Sequence, residues 1–159
     1  MSIDQVKAYL KGFGLEDRVR EFNQSSATVE LAAEAAGVAP ARIAKTLSFR
    51  DGDGCVLLVA AGDARVDNKK FRDAFGYKAK MLTPDEALSL TGHPVGGVCP
   101  FAVGPMAKVY LDESLKRFDT VLPAAGNDQS AVVLTPEELY GASGAAGWVD
   151  ACKDWQIEE

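Results

Sequence analysis

ARIAKTLSFRDGDGCVLLVAAGD (41–63) joins two unlike segments through the DGDG sequence at 51–54. The first alternates polar and apolar residues toward its end, the period of a strand with one covered face. The second, CVLLVAA (55–61), is apolar throughout, as in a strand covered on both faces. Asp-Gly between two such runs is a strong short-range hairpin signal. A β-hairpin is therefore expected here, with its second strand deep in the protein.

Working outward, IDQVKAYLKGFG (3–14) reads as an amphipathic helix with Ile3, Val6 and Leu10 on one face, ended by Gly12 and Gly14. VREF (19–22) predicts a short strand. TVELAAEAAGV (28–38) predicts a helix of about two turns, capped by Thr28 and closed at Gly37. DNKKFRDAFG (67–76) is a further glycine-ended helix, followed by a short strand around KAKML (78–82). TPDEALSLTG (83–92) and TPEELYG (135–141) open alike, with Thr83 or Thr135 as N-cap and Glu86 or Glu138 closing a capping box. AKVYLDE (107–113), FDTVLPAAG (118–126), SAVVL (130–134) and GWVDAC (147–152) read as strands. No strand–helix–strand unit repeats, which predicts an α+β fold: a mixed, largely antiparallel sheet with helices packed around it. No G-x-G-x-x-G or P-loop pattern follows a strand, so a doubly wound nucleotide fold is disfavoured.

At 159 residues the chain fits one domain, 1–159, large enough for a real core. It is 47% hydrophobic and 25% charged, an ordinary globular composition. Three scattered cysteines and one histidine form neither a disulfide framework nor a metal-ligand pattern, so no metal or cofactor is expected. No charged n-region precedes an apolar run at the N-terminus, and a cytoplasmic protein with reduced thiols is expected. Residues 87–107 lack any Asp, Glu, Lys or Arg, but seven of these 21 are Gly or Pro, which excludes a spanning helix. The net charge of −6 argues against general nucleic-acid coating. Its distribution is uneven: RVDNKKFRDAFGYKAK (65–80) carries six Lys or Arg against two Asp, whereas residues 112–159 are strongly acidic. Such a basic patch fits either one specific polyanion or a solvated helix face.

Four places could carry chemistry. TGHPVGGVCPF (91–101) combines glycines and prolines with His93 and Cys99. A nucleophilic thiol needs a lowered pKa and a base within reach; a buried structural cysteine needs neither. The GGVCP core (96–100) offers backbone instead, since adjacent glycines admit a close ligand and successive N–H groups can converge on an anion or a polarised carbonyl. Lys45, in an apolar stretch, must snorkel to solvent or point into a cleft. Asp63 ends an apolar strand, a position suited to a pocket rim.

In order along the chain, ARIAKTLSF (41–49), VLLVAAGDARVDNKKF (56–71), LTGHPVGGVCPF (90–101), KVYLDESL (108–115) and AAG (124–126) followed by LTPEEL (134–139) resemble the YbaK/prolyl-tRNA-synthetase-associated domain family. The resemblance runs from about residue 26 to residue 149. It implies a curved, barrel-like mixed sheet surrounded by helices. It also implies a small cytoplasmic aminoacyl-tRNA deacylase that hydrolyses mischarged tRNA, acting in trans. The family's essential lysine falls on Lys45 and its G-x-x-x-P loop on Gly96 through Pro100. Loop amides, those of Gly96 and Gly97 first, would hold the ester carbonyl, and Lys45 would anchor the terminal nucleotide or the reacting group. The pocket would take in Thr46, Phe49, Asp63, His93, Val98, Cys99, Pro100, Phe101, Ala125 and Gly126, with Cys99 lining rather than attacking. Lys69, Lys70, Arg72, Lys78 and Lys80 would meet phosphates of the tRNA acceptor end.

The small residues Gly96, Gly97, Ala124, Ala125 and Gly126 suit a confined pocket for Ala, Ser, Thr or Cys, with tRNA(Pro) as a carrier. The chain departs from many members in having Ala102 rather than Gly after the Pro-Phe pair. No side chain stands out as a general base; the substrate's own ribose hydroxyl could activate the water, or a thiol or hydroxyl on the mischarged amino acid could attack its own ester. Competing readings are a non-catalytic tRNA- or synthetase-binding module and a thiol hydrolase built on Cys99.

Overall fold

The computed structural model describes residues 2–94 and 97–155. In chain order the elements are α1 (Ser2–Lys11), β1 (Val19–Glu21), α2 (Val29–Ala36), β2 (Ile43–Asp51), β3 (Gly54–Ala61), β4 (Arg65–Val66), α3 (Asn68–Phe75) and α4 (Pro84–Thr91). Then come β5 (Ala107–Asp112), β6 (Leu122–Pro123), β7 (Ser130–Val132), α5 (Pro136–Ser143), β8 (Gly147–Val149) and β9 (Cys152–Lys153). The class is mixed α+β, as expected.

The 41–63 stretch forms the predicted hairpin. β2 and β3 pair antiparallel from Ala44↔Ala61 to Asp51↔Gly54, with Gly52 at φ 56 in the turn. Every residue of β3 is buried, because β3 is the middle strand of a five-stranded sheet in the order β6-β2-β3-β5-β8. That position explains its unbroken apolar run. The hairpin is the antiparallel pair of this sheet; β2–β6, β3–β5 and β5–β8 are parallel. The expectation of a largely antiparallel sheet is thus corrected. Parallel neighbours need long crossovers, and the β3–β5 crossover spans residues 62–106 with α3 and α4 inside it. Two-stranded pairs, β1–β7 and β4–β9, flank the sheet.

Some predicted strands shrink. KAKML contributes a single bridge, Met81 to Phe49, and FDTVLPAAG the two residues of β6 with a bridge from Val121 to Leu134. Pro123 cannot donate to a ladder, which suits an edge strand. GWVDAC divides into β8 and β9 because Asp150 and Ala151 turn the chain toward β4. The helices follow their sequence signals closely. Thr28 caps α2, Gly37 ends it at φ 71, and both Thr-Pro-x-Glu capping boxes are formed. α1 seals the core with Val6 and Leu10, both fully buried.

Ala102 occupies the left-handed region at φ 53, where an L-residue with a Cβ is strained by about 1–2 kcal/mol. Ala102→Gly is expected to stabilise the protein by about 1 kcal/mol, raising Tm by about 2–4 °C in a thermal melt.

Candidate functional site

The β2–β3 register sets Lys45 opposite Ala60, one step before the turn that leaves β3. The Lys45 side chain reaches that turn, and its Nζ donates to the main-chain oxygens of Gly62, at 3.5 Å, and Ala64. The turn is held tightly. A Cβ on Gly62 would collide with the Pro40 carbonyl oxygen and lie 2.7 Å from Val29 Cγ1. Ala64 N–H donates to Ala61 O at 3.0 Å. Asp63 is clamped by both terminal nitrogens of Arg117, at 2.5 and 2.9 Å. Burial, first, lowers the Lys45 pKa; Cys152 and Asp63 oppose the shift, and the Arg65 charge reinforces it.

Lys45 lines a cleft of about 450 Å³ that runs along β2. α2 supplies one wall through Val29 and Ala32, α4 the other through Pro84 and Ala87, and Val98 and Ala124 reach in from the loops. Among the described lining residues there is no Asp, Glu or His, although the charges of Asp63 and Glu30 are felt at Lys45 from outside the cleft. Thr46 also lines it, and its Oγ1 is buried without a hydrogen-bond partner.

The glycine-rich loop is structural at its root. His93 is fully buried, and its Nε2 lies 2.7 Å from Phe101 O and 3.6 Å from Cys99 Sγ. A carbonyl only accepts, so Nε2 carries the proton and donates it to Phe101 O. The nitrogen facing the thiol is therefore no base. Burial lowers the His93 pKa and pushes the Cys99 thiol up to about 12. Cys55 and Cys152 are likewise buried and free.

Gly97 shows why a glycine is needed: a Cβ there would lie 2.6 Å from Asn127 Cα and 2.8 Å from Gly126 C. The 97–101 loop thus rests directly on the backbone at 126–127, where Gly126 has φ 99. The Gly97 N–H donates to Pro94 O at 2.9 Å. Gly96, expected to share its role, lies outside the described residues.

Of the residues expected at the site, Lys45, Thr46 and Val98 come together on the cleft. Phe49, Phe101 and Ala125 are instead buried in the core, with Phe49 against Phe71 at 4.8 Å between ring centres and Phe101 near Tyr9 at 6.4 Å. Pro100 is buried too, and Asp63 faces Arg117. Lys69, Arg72, Lys78 and Lys80 are exposed, while Lys70 pairs with Asp150 at 3.1 Å. The walls from α2 and α4 were not foreseen. Their cleft-facing residues are Ala, Val and Pro, which look like helix core in a sequence. Among the described residues, no helix is long and apolar enough to cross a membrane.

Residues 23–141 match the family described as the aminoacyl-tRNA editing domain. Over 157 residues, 98% of this chain and all of the relative, the sequence is 55% identical to the uncharacterized protein YwhH of Bacillus subtilis. It is 31% identical over 90 residues to the proline–tRNA ligase of Thermotoga neapolitana, a match that spans 56% of this chain and 15% of the ligase. A solved structure described as a "putative trans-editing enzyme for prolyl tRNA synthetase" superposes with a TM-score of 0.86 at 31% identity, over 96% of this chain and 97% of that one. The chain belongs to the aminoacyl-tRNA editing domain family.

Proposed function

We propose that this protein is a trans-acting deacylase that hydrolyses the ester of a mischarged tRNA carrying a small amino acid, with tRNA(Pro) as a carrier. The observation that carries the reading is Lys45: a half-buried ammonium in a mostly apolar cleft, held by two main-chain oxygens and facing no carboxylate there. Such a cation suits a phosphate or ester oxygen of the tRNA 3′ end.

In the reaction, water adds to the ester carbonyl carbon and the bond from that carbon to the ribose oxygen breaks. The ribose oxygen takes a proton, leaving a free amino acid and a tRNA with its terminal hydroxyl restored. The described cleft lining offers no carboxylate or imidazole as base, which supports activation of the water by the vicinal hydroxyl of the terminal ribose. Lys45 anchors the nucleotide and stabilises negative charge. Val98 borders the cleft from the loop, and the family resemblance assigns the Gly96 amide to the ester carbonyl oxygen. The Gly97 amide is already engaged by Pro94 O, so Gly97 contributes its lack of a side chain. Lys69, Arg72, Lys78 and Lys80, with Lys70 beside them, meet acceptor-stem phosphates.

Editing of this kind answers a physical limit. A synthetase pocket rejects an amino acid that is smaller by one methylene by only about 1–3 kcal/mol, and a second hydrolytic site supplies the remainder.

Turnover should be measured on Ala-, Ser-, Thr- and Cys-tRNA(Pro). Wild-type protein is expected to release at least one of these rapidly. Lys45→Ala is expected to lower that rate by about 10²-fold or more, the scale of losing a charge-stabilising group, while binding of uncharged tRNA persists. Release from no member of the panel, with tRNA binding intact, would mean a non-catalytic module. Cys99→Ala is expected to keep near-normal turnover, since its thiol is buried and faces a protonated nitrogen; abolished turnover in a folded variant would instead restore the thiol-hydrolase reading.

A further inference from the structure

The short β4–β9 pair sets Arg65 directly opposite Lys153. Their strand neighbours, Val66 and Cys152, pack against the core, so by strand alternation Arg65 and Lys153 stand together on the outer face. Both are exposed. Like charges directly opposite across a strand pair repel, and among the described residues neither side chain forms an ion pair. The nearby carboxylates are committed elsewhere. Asp63 is held by Arg117 at 2.5 Å. Asp67 Oδ1 accepts the N–H groups of Lys69 and Lys70 at 2.9 and 3.0 Å. Asp150 pairs with Lys70 at 3.1 Å. The Lys153 charge is also felt at Asp67, and the exposed Asp154 is next in the chain; among the described residues neither carboxylate forms an ion pair with Arg65 or Lys153.

The location matters as much as the charge. Arg65 directly follows Ala64, whose carbonyl receives the Lys45 ammonium, and the Arg65 charge is felt at Lys45. The two exposed cations therefore stand beside the turn that anchors Lys45. A guanidinium next to an ammonium is a combination suited to a phosphate, with a planar fork for two oxygens and a point charge for the third.

We infer that Arg65 and Lys153 form a phosphate seat for the sugar-phosphate backbone of an RNA 3′ end whose terminal nucleotide reaches Lys45. This rests on the deacylase reading for the identity of the RNA. The seat draws Lys153 from the acidic C-terminal part of the chain, where charge counting along the sequence hides it.

The test uses the full-length protein, Arg65→Ala/Lys153→Ala, and the charge-matched control Lys11→Ala/Lys108→Ala. Both pairs lie on the surface, and circular dichroism verifies folding. The probe is an uncharged acceptor-stem microhelix ending in CCA, followed by fluorescence anisotropy at several salt concentrations, with inorganic phosphate as competitor. The seat predicts about tenfold weaker binding for the Arg65/Lys153 variant and a shallower dependence of log K on log salt, by about 1–2 units. It also predicts a raised KM with kcat unchanged, and a control pair close to wild type. Equal losses in the two double variants, or no microhelix binding by wild type, would overturn it. Displacement of the RNA by millimolar inorganic phosphate in wild type but not in the Arg65/Lys153 variant would support the seat. The two readings fail separately. Microhelix binding that depends on Arg65 and Lys153, without hydrolysis of any aminoacyl-tRNA, retains the seat and removes the deacylase. Hydrolysis with unchanged KM in the variant retains the deacylase and removes the seat.

Discussion

Lodging the Lys45 ammonium between the carbonyls of Gly62 and Ala64 is the constraint on which the site depends. A cation taken out of water must recover hydrogen bonds or give up its proton. Here the recovery comes from a turn, and the turn is where it must be because of the hairpin register. Lys45 lies opposite Ala60, so its side chain arrives where β3 ends. A slip of one residue would turn Lys45 to the other face of the strand. The tight 51–54 turn guards against that slip, and the buried β3 penalises it, since β3 is packed between β2 and β5 with all residues covered.

The remaining walls are built by loops that lean on each other. Gly97 rests on Asn127 and Gly126, and His93 with Cys99 fixes the base of the loop by hydrogen bonding to Phe101. Chemistry and support are thereby separated. The conspicuous Cys–His pair, which in another setting would be a nucleophile and its base, is a buried brace. In the proposed reaction the chemistry falls instead to Lys45 and to main chain.

Local signals carried much of this into the sequence. The Asp-Gly turn and the apolar run after it specified the hairpin, and two Thr-Pro-x-Glu boxes and three αL glycines marked helix ends that the structure reproduces. Parallel pairing was not legible, because it depends on how a 45-residue crossover folds back, a property of tertiary packing. At the site, the residues alone left Lys45 open between solvent and a cleft, because a long side chain on a strand can do either, and the family resemblance was what singled it out. Phe49, Phe101 and Ala125 lie near the site in sequence yet point into the core, and adjacency along the chain carries no information about which face is inward. The α2 and α4 walls were silent for a related reason: small apolar residues that shape a cleft are chemically the same as those that fill a core.

Titration of the Lys45 side chain by ¹³C-edited NMR, with its signal assigned through Lys45→Arg, tests the central claim most directly. Burial lowers the pKa of the free protein, and an RNA phosphate beside the ammonium would favour its charged form. The predicted result is a midpoint below the ordinary lysine value of 10.5 in the free protein, moving upward when a CCA-ended microhelix binds. A midpoint at the ordinary value that ignores the RNA would contradict the account, because Lys45 would then be a solvated side chain with no part in the cleft.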